Sequence, residues 1–213
     1  MNILTTERHH SPKKAKSLVV SEVLPSLEDQ ERADLYGLLA ALLLGPDAGL
    51  VEALAALPRS EVAGDAFACA WDALLEAAQR CGTTALEEFD ALFVAPGTPR
   101  LHPYQCFYRD GGLMDKPLAQ LRETLRALGL QRAPGATELE DHIGALCETM
   151  RLLIETSRPR AVQQRFFDGQ LAGWTQRCLQ DIASAPGADF YRAVAAFAQA
   201  FFELESEHDE TIA

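Results

Sequence analysis

Between residues 26 and 44 the segment SLEDQERADLYGLLAALLL places Leu35, Leu38, Leu39, Leu42 and Leu43 three and four positions apart. That spacing lines one face of an α-helix and cannot line one face of a strand. Similar stripes return along most of the chain, and each must be buried against another helix. Leu and Ala dominate the apolar residues, β-branched residues are sparse, and no stretch alternates convincingly as a strand. The expected fold is all-α, a single-domain bundle of about eight or nine helices. A chain of 213 residues suits one core of this kind.

Stop and start signals divide the chain. Ser26 can cap the first helix, with Glu28, Asp29 and Glu31 in its early turns, and Gly45 with Pro46 ends it. A second helix spans 48–57 and stops at Pro58, and a third is expected from Ser60 to Gly82 with Phe67, Trp71, Leu74 and Leu75 on one face. Thr84 and Glu87 have capping-box spacing ahead of Leu86, Phe89, Leu92 and Phe93. Three prolines and three glycines then break any period between Ala95 and Asp115, a connection long enough to suggest function. Asp115 and Pro117 restart a helix through Leu118, Leu121, Leu125 and Leu128. Thr137 and Glu140 form a second capping box, so a helix is expected to begin at Glu138 and to bury Ile143, Leu146, Cys147, Met150 and Leu153. Two further helices follow, through FFDGQLAGWTQRCLQDIA and after Pro186. Trp71 and Trp174 read as core residues.

The net charge of −12 is uneven. Arg8, Lys13, Lys14 and Lys16 against Glu7 give the first twenty residues +3, which leaves −15 on the rest. Residues 1–22 read as a mobile basic arm in which His9 and His10 hold no fixed site, 23–205 as the helical domain, and 206–213 as an acidic frayed tail, with ELESEHDE a solvated helix end. An acidic body repels phosphates and anionic lipid and attracts cationic partners, so neither nucleic acid nor stable membrane insertion is expected. Five cysteines without a C-x-x-C pair give no disulfide or zinc framework. No apolar run of signal-peptide length precedes SLVV, and no window approaches the ~20 apolar residues of a membrane span, so a reducing cytoplasm is the expected compartment.

With a helix starting at Glu138, its carboxylate would meet Asp141 and His142 on one face. A bland account is a well-capped helix start. A sharper one is a site, because the cluster neighbours the irregular loop that carries Tyr104 and Tyr108. Phosphate-loop and nucleophile-elbow motifs are lacking. A helical metal-binding protein or metalloenzyme using Glu138, Asp141 and His142 is the rival class, weakened because outside the basic arm only one E-x-x-H pair, Glu205 with His208, occurs.

The order of EEFDALFVAPG, HPYQCFY, ELEDHIGALCETM and FFDGQLAGW resembles the TorD-like family (TorD, DmsD and NarJ types) of cytoplasmic chaperones for molybdenum-containing redox enzymes, over roughly residues 30–205. Glu88, Phe89, Leu92 and Phe93 match its aromatic helix, Pro103, Tyr104 and Tyr108 its loop, Glu138, Asp141 and His142 its acidic turn, and Glu148 and Met150 the step beyond. Cys106 and Gln170 depart from the family's frequent Ser and His, the latter ahead of Leu171 and Trp174. The resemblance implies a non-enzymatic, all-helical protein whose partner is the twin-arginine signal peptide or immature catalytic subunit of a molybdoenzyme. The expected client-binding residues are Glu138, Asp141, His142, Tyr104, Tyr108, Phe89, Phe93, Gln170 and Trp174. It implies no metal and no cofactor beyond weak guanine-nucleotide binding, and a monomer or a dimer that exchanges helices.

Overall fold

The structure, a computed structural model, describes residues 4–6, 25–60, 64–94, 100–110 and 115–207. Among these residues it is an all-α bundle of ten α-helices, one π-helical turn and one small two-stranded sheet. Helix α1 (Leu27–Leu44) begins where Ser26 Oγ accepts from Asp29 N at 3.0 Å, as the capping residue predicts. Helix α2 (Ala48–Ala56) is capped in the same way by Asp47. Helix α3 (Ala66–Cys81) starts later than expected, because Asp65 caps it, while the Ser60 N–H donates to Asp72 Oδ1 at 2.7 Å. Helix α4 (Thr84–Phe89) runs into the π turn Asp90–Val94. Its expected capping box does not form, since Thr84 Oγ1 donates to the Cys81 carbonyl instead.

The irregular stretch contains a short helix, α5 (Gln105–Asp110), that the prolines and glycines around it had hidden. Then come α6 (Asp115–Ala127), α7 (Ile143–Glu155), α8 (Arg160–Gln170), α9 (Thr175–Ser184) and α10 (Phe190–Glu207). The expected cap at Asp115 involves a side chain outside the described ones. Strands β1 (Leu4–Thr6) and β2 (Leu130–Arg132) pair antiparallel, Leu4 opposite Arg132, and Leu4 is only 2% exposed. Three residues expected in a mobile arm therefore form a strand, because Leu4 finds apolar cover. The rest of that arm, with His9 and His10, lies outside the described residues.

Helices α1 and α7 meet through glycines at the heart of the bundle. A Cβ on Gly144 would stand 2.7 Å from Leu44 Cγ and 3.3 Å from the Ala40 carbonyl, so only glycine permits this approach. Helix α10 supplies the aromatic side of the core, with Phe197 against Phe67 and Trp71, and Phe201 edge-on to Tyr36 at 4.8 Å. Its N-terminus is capped from a distance, by Glu88, whose carboxylate accepts from the N–H groups of Asp189, Phe190 and Tyr191 at 2.9, 3.0 and 2.8 Å. Near its other end, Glu205 is 4% exposed and takes both arms of Arg32 from α1, at 2.7 and 2.8 Å. That corrects the expectation of a solvated acidic end as far as Glu205, because an arginine on α1 and Tyr36 Oη compensate the buried charge. Residues 208–213 lie outside the described ones. Among the described residues no helix is long and apolar enough to cross a membrane.

Candidate functional site

The helix expected from Glu138 begins five residues later, at Ile143. The backbone of 141–143 is committed elsewhere. Gln105 N donates to the Asp141 carbonyl and Ile143 N to the Pro103 carbonyl, each at 2.9 Å, around a bridge between Tyr104 and His142. These bonds hold the acidic turn extended against the loop, where a helix cannot form. Glu140, expected to close a capping box with Thr137, instead makes a two-point ion pair with Arg122 at 2.9 and 3.0 Å. Burial works against that carboxylate's charge, yet the guanidinium holds its pKa below the ordinary value.

The N-cap of α7 is His142, whose Nδ1 accepts from Gly144 N at 3.1 Å. An imidazole that accepts at Nδ1 is neutral, and burial alone pushes its pKa down to about 3. Asp141 is 0% exposed. Its Oδ2 accepts from Cys106 N at 3.2 Å, and its Oδ1 is buried with no hydrogen-bond partner among the described residues. The Cys106 thiol is pushed up to about 12, first by burial and then by this carboxylate, so it is not a reactive nucleophile. Glu138 is half-buried and accepts a hydrogen bond from the Tyr104 hydroxyl. The three groups thus do not form one cluster: Glu138 and His142 line a cleft, His142 also capping α7, and Asp141 is sealed beneath it. Among the described residues no three His, Cys, Asp or Glu side chains are grouped to hold a metal ion.

A cleft of about 290 Å³ opens beside this turn, between the end of α1, the π turn and the loop before α5. Phe89 and Phe93 form one wall, 5.2 Å apart and both packed on Tyr191, and Tyr104, Glu138 and His142 form the facing side. The π turn places Val94 at the mouth, 58% exposed. Five of the nine expected site residues therefore share one cleft. Leu43, Leu44, Leu101, His102 and Leu139 join them. Sequence reasoning missed these five, although the proximity of His102 to Tyr104 in HPYQCFY was a usable signal.

Tyr108, Gln170 and Trp174 form a separate cluster. The Tyr108 and Trp174 rings stack at 5.7 Å, and the Gln170 carbonyl accepts from Trp174 Nε1 at 2.7 Å and Gln105 Nε2 at 2.8 Å. Position 170 is used mainly through its backbone, which makes Gln an easy replacement for His there. Tyr108 Oη donates to Asp181, and burial keeps its proton well above the usual range. Gln105 ties this cluster to Asp141 through adjacent backbone and side-chain bonds.

Residues 61–180 match the family described as the nitrate reductase delta subunit. Over 119 residues the chain is 27% identical to proteins named chaperone protein TorD from Actinobacillus pleuropneumoniae serotype 3 (strain JL03) and serotype 7 (strain AP76). That stretch is 55% of this chain and 60% of each relative. The matched family segment, residues 61–180, contains the π turn, the α5 loop and the acidic turn. A match across more than half of the chain, on a bundle of the expected class, shows that this chain belongs to the nitrate reductase delta subunit family, the TorD/NarJ group.

Proposed function

We propose that the protein is a cytoplasmic, non-enzymatic maturation chaperone that binds the twin-arginine signal peptide or the immature catalytic subunit of a molybdenum-containing redox enzyme and holds it for cofactor insertion. One observation supports this most directly: a half-buried carboxylate, Glu138, stands opposite the aromatic wall of Phe89 and Phe93 in an open cleft. A signal of that class presents guanidinium groups next to an apolar run, and it needs acceptors beside an apolar groove. The acidic body of the chain adds long-range attraction for such a cation.

The roles divide by burial. Glu138 contacts the client, Phe89, Phe93 and Tyr104 receive its apolar side chains, and His142 forms the cleft floor. Asp141 acts as a positioning residue, because it holds the backbone of Cys106 and thereby the loop that shapes the cleft. Tyr108, Gln170 and Trp174 brace that loop from behind. Weak guanine-nucleotide binding and a helix-exchanged dimer belong to the same reading and call for separate binding and mass measurements.

The test is calorimetric titration of the full chain with a peptide bearing an Arg-Arg pair ahead of an apolar run, and with its Lys-Lys counterpart. Saturable binding in the micromolar range that weakens with salt, with Arg-Arg preferred, is the expected result. Absence of saturable binding to either peptide at low salt overturns signal recognition.

A further inference from the structure

Glu138 and Leu44 line two cavities. One is the aromatic cleft; the other, of about 660 Å³, is bounded by Ala41, Gly45, Asp47, Glu148 and Arg151. Gly45 joins them from the other side: it lines the larger cavity, and a Cβ placed on it would touch Phe89 Cε1 at 3.4 Å. The two spaces therefore adjoin, sharing Leu44 and Glu138 in their walls, with opposite character. The cleft has an aromatic and aliphatic wall. The larger chamber has the carboxylates of Asp47, Glu138 and Glu148, and of its charged groups Glu148 and Arg151 are already bound to each other at 2.6 and 2.8 Å.

The chamber also receives the C-terminal end of α1. An 18-residue helix concentrates partial negative charge at that end, where its last carbonyls lack intrahelical partners. Helices usually answer this with a left-handed glycine cap or with a basic side chain. Here Gly45 has φ 117 and ψ 100, outside the capping geometry, Pro46 has no N–H to offer, and no basic residue occupies the last turn. Tyr191 Oη satisfies the Leu42 carbonyl at 2.8 Å, and no backbone N–H among the described residues caps those of Leu43 and Leu44. The C-terminal end of α1 and two carboxylates beside one chamber suit a planar cation with several donors better than a point charge.

We infer that the α1 end of the groove is an arginine subsite, with Asp47, Glu138 and the terminal carbonyls of α1 as its acceptors, so that a client lies with its Arg-Arg pair in the chamber and its following apolar residues in the aromatic cleft. The inference rests on the signal-recognition reading and adds to it a direction and a second carboxylate, Asp47. Asp47 is exposed, and it keeps its own helix capped through Oδ1 alone, the oxygen that accepts from Leu50 N at 2.8 Å. Asparagine caps as well as aspartate, so Asp47→Asn removes the charge without removing the cap.

The experiment compares the wild-type chain and Asp47→Asn against three peptides: Arg-Arg before an apolar run, Lys-Lys before the same run, and the run placed before Arg-Arg. The expected result is that wild type prefers the first, that Asp47→Asn weakens its binding about tenfold and narrows the Arg over Lys preference, and that the reversed peptide binds wild type more weakly. If wild type binds the first peptide but Asp47→Asn binds it equally well with the same preference, or if the reversed peptide binds wild type as tightly, the subsite and its direction are overturned while signal recognition stands. If wild type binds none of the three, both fall. Circular dichroism and urea unfolding of Asp47→Asn, expected to match wild type, exclude misfolding as the cause of weakened binding.

Discussion

Glu205 and Asp141 both come from acidic stretches of sequence, and both are out of water, at 4% and 0% exposure. Their surroundings differ. Glu205 receives Arg32 at two points and Tyr36 Oη at 2.9 Å, and although burial works to raise its pKa, the arginine holds it below the ordinary value. Asp141 receives one backbone N–H on Oδ2 and leaves Oδ1 unpartnered among the described residues. A saturated buried carboxylate is a pin between elements, here α1 and α10. A half-satisfied one costs stability and persists where the surrounding shape is required for something else. The contrast therefore assigns the Glu205 network to folding and supports the proposal that the Asp141 turn shapes a binding site.

The contrast breaks most sharply at Arg32. Arg32→Met removes the two-point partner of buried Glu205 and leaves it only Arg160 Nη2 at 3.9 Å, and the expected loss is about 3 kcal/mol in equilibrium urea unfolding. The double change Arg32→Met with Glu205→Leu is expected to recover much of that loss, since a well-packed apolar pair avoids both desolvation costs. A single variant as stable as wild type would remove the pin.

Acid separates the two regions next. His142 is a base whose folded pKa, about 3, lies below its ordinary 6.5, so the unfolded chain takes up a proton that the folded chain refuses. Its share of stability is complete above pH 6.5 and is lost as pH falls from there toward 3, at up to ~1.4 kcal/mol per pH unit. Glu205, with a folded pKa below the ordinary 4.5, contributes fully above that value and loses its share only as pH falls further. Between pH 6.5 and 4.5 the acid sensitivity of these two groups belongs to His142 alone. Asparagine at 142 can still cap α7 and does not titrate, so His142→Asn should flatten the stability profile in this window. An unchanged slope would mean that the imidazole is not buried as described.

Asp141→Ala is a smaller perturbation. A solvent-facing cluster on a helix start would predict a loss within ~1 kcal/mol. Burial revises that to about 1–3 kcal/mol, the cost of leaving the Cys106 N–H without an acceptor, read as a shift of the urea midpoint. Loss of client binding in this variant should accompany loosening of the α5 loop, visible as faster amide exchange at Gln105 and Cys106.

Why the two carboxylates were not told apart in sequence is a matter of range. Leucine stripes, Ser26 and the Gly45 stop are local signals, and α1 follows them closely. Asp29 and Arg32 sit one turn apart and are legible, but the partner that decides Glu205 lies 173 residues away. The capping box at Thr137 and Glu140 is a sound local pattern that lost to Pro103 and Gln105, which bond the backbone of 141–143 first. Glu88 was legible as part of a motif, yet its work is to cap α10, a hundred residues downstream. For the site, Phe89, Phe93 and Tyr104 were readable from helical spacing and the proline-bounded loop. The depth at which each ionisable group sits was not, because depth is set by which elements close over it.

The finest separation comes from Glu138, which shares the turn with Asp141 but not its burial. Glutamine at this position keeps an acceptor for the Tyr104 hydroxyl and sits at a half-exposed place, so Glu138→Gln should change stability by less than ~0.5 kcal/mol. If it contacts a client's arginine, the same change should weaken Arg-Arg peptide binding about tenfold, the scale of one lost charge-assisted hydrogen bond. Asp141→Ala should lower stability and binding together, whereas Glu138→Gln should lower binding alone. Measured side by side, that ratio distinguishes a carboxylate that touches the client from one that only holds the cleft in shape. Equal stability losses in the two variants would make Glu138 another brace, and the acceptor for arginine would then have to be sought at Asp47.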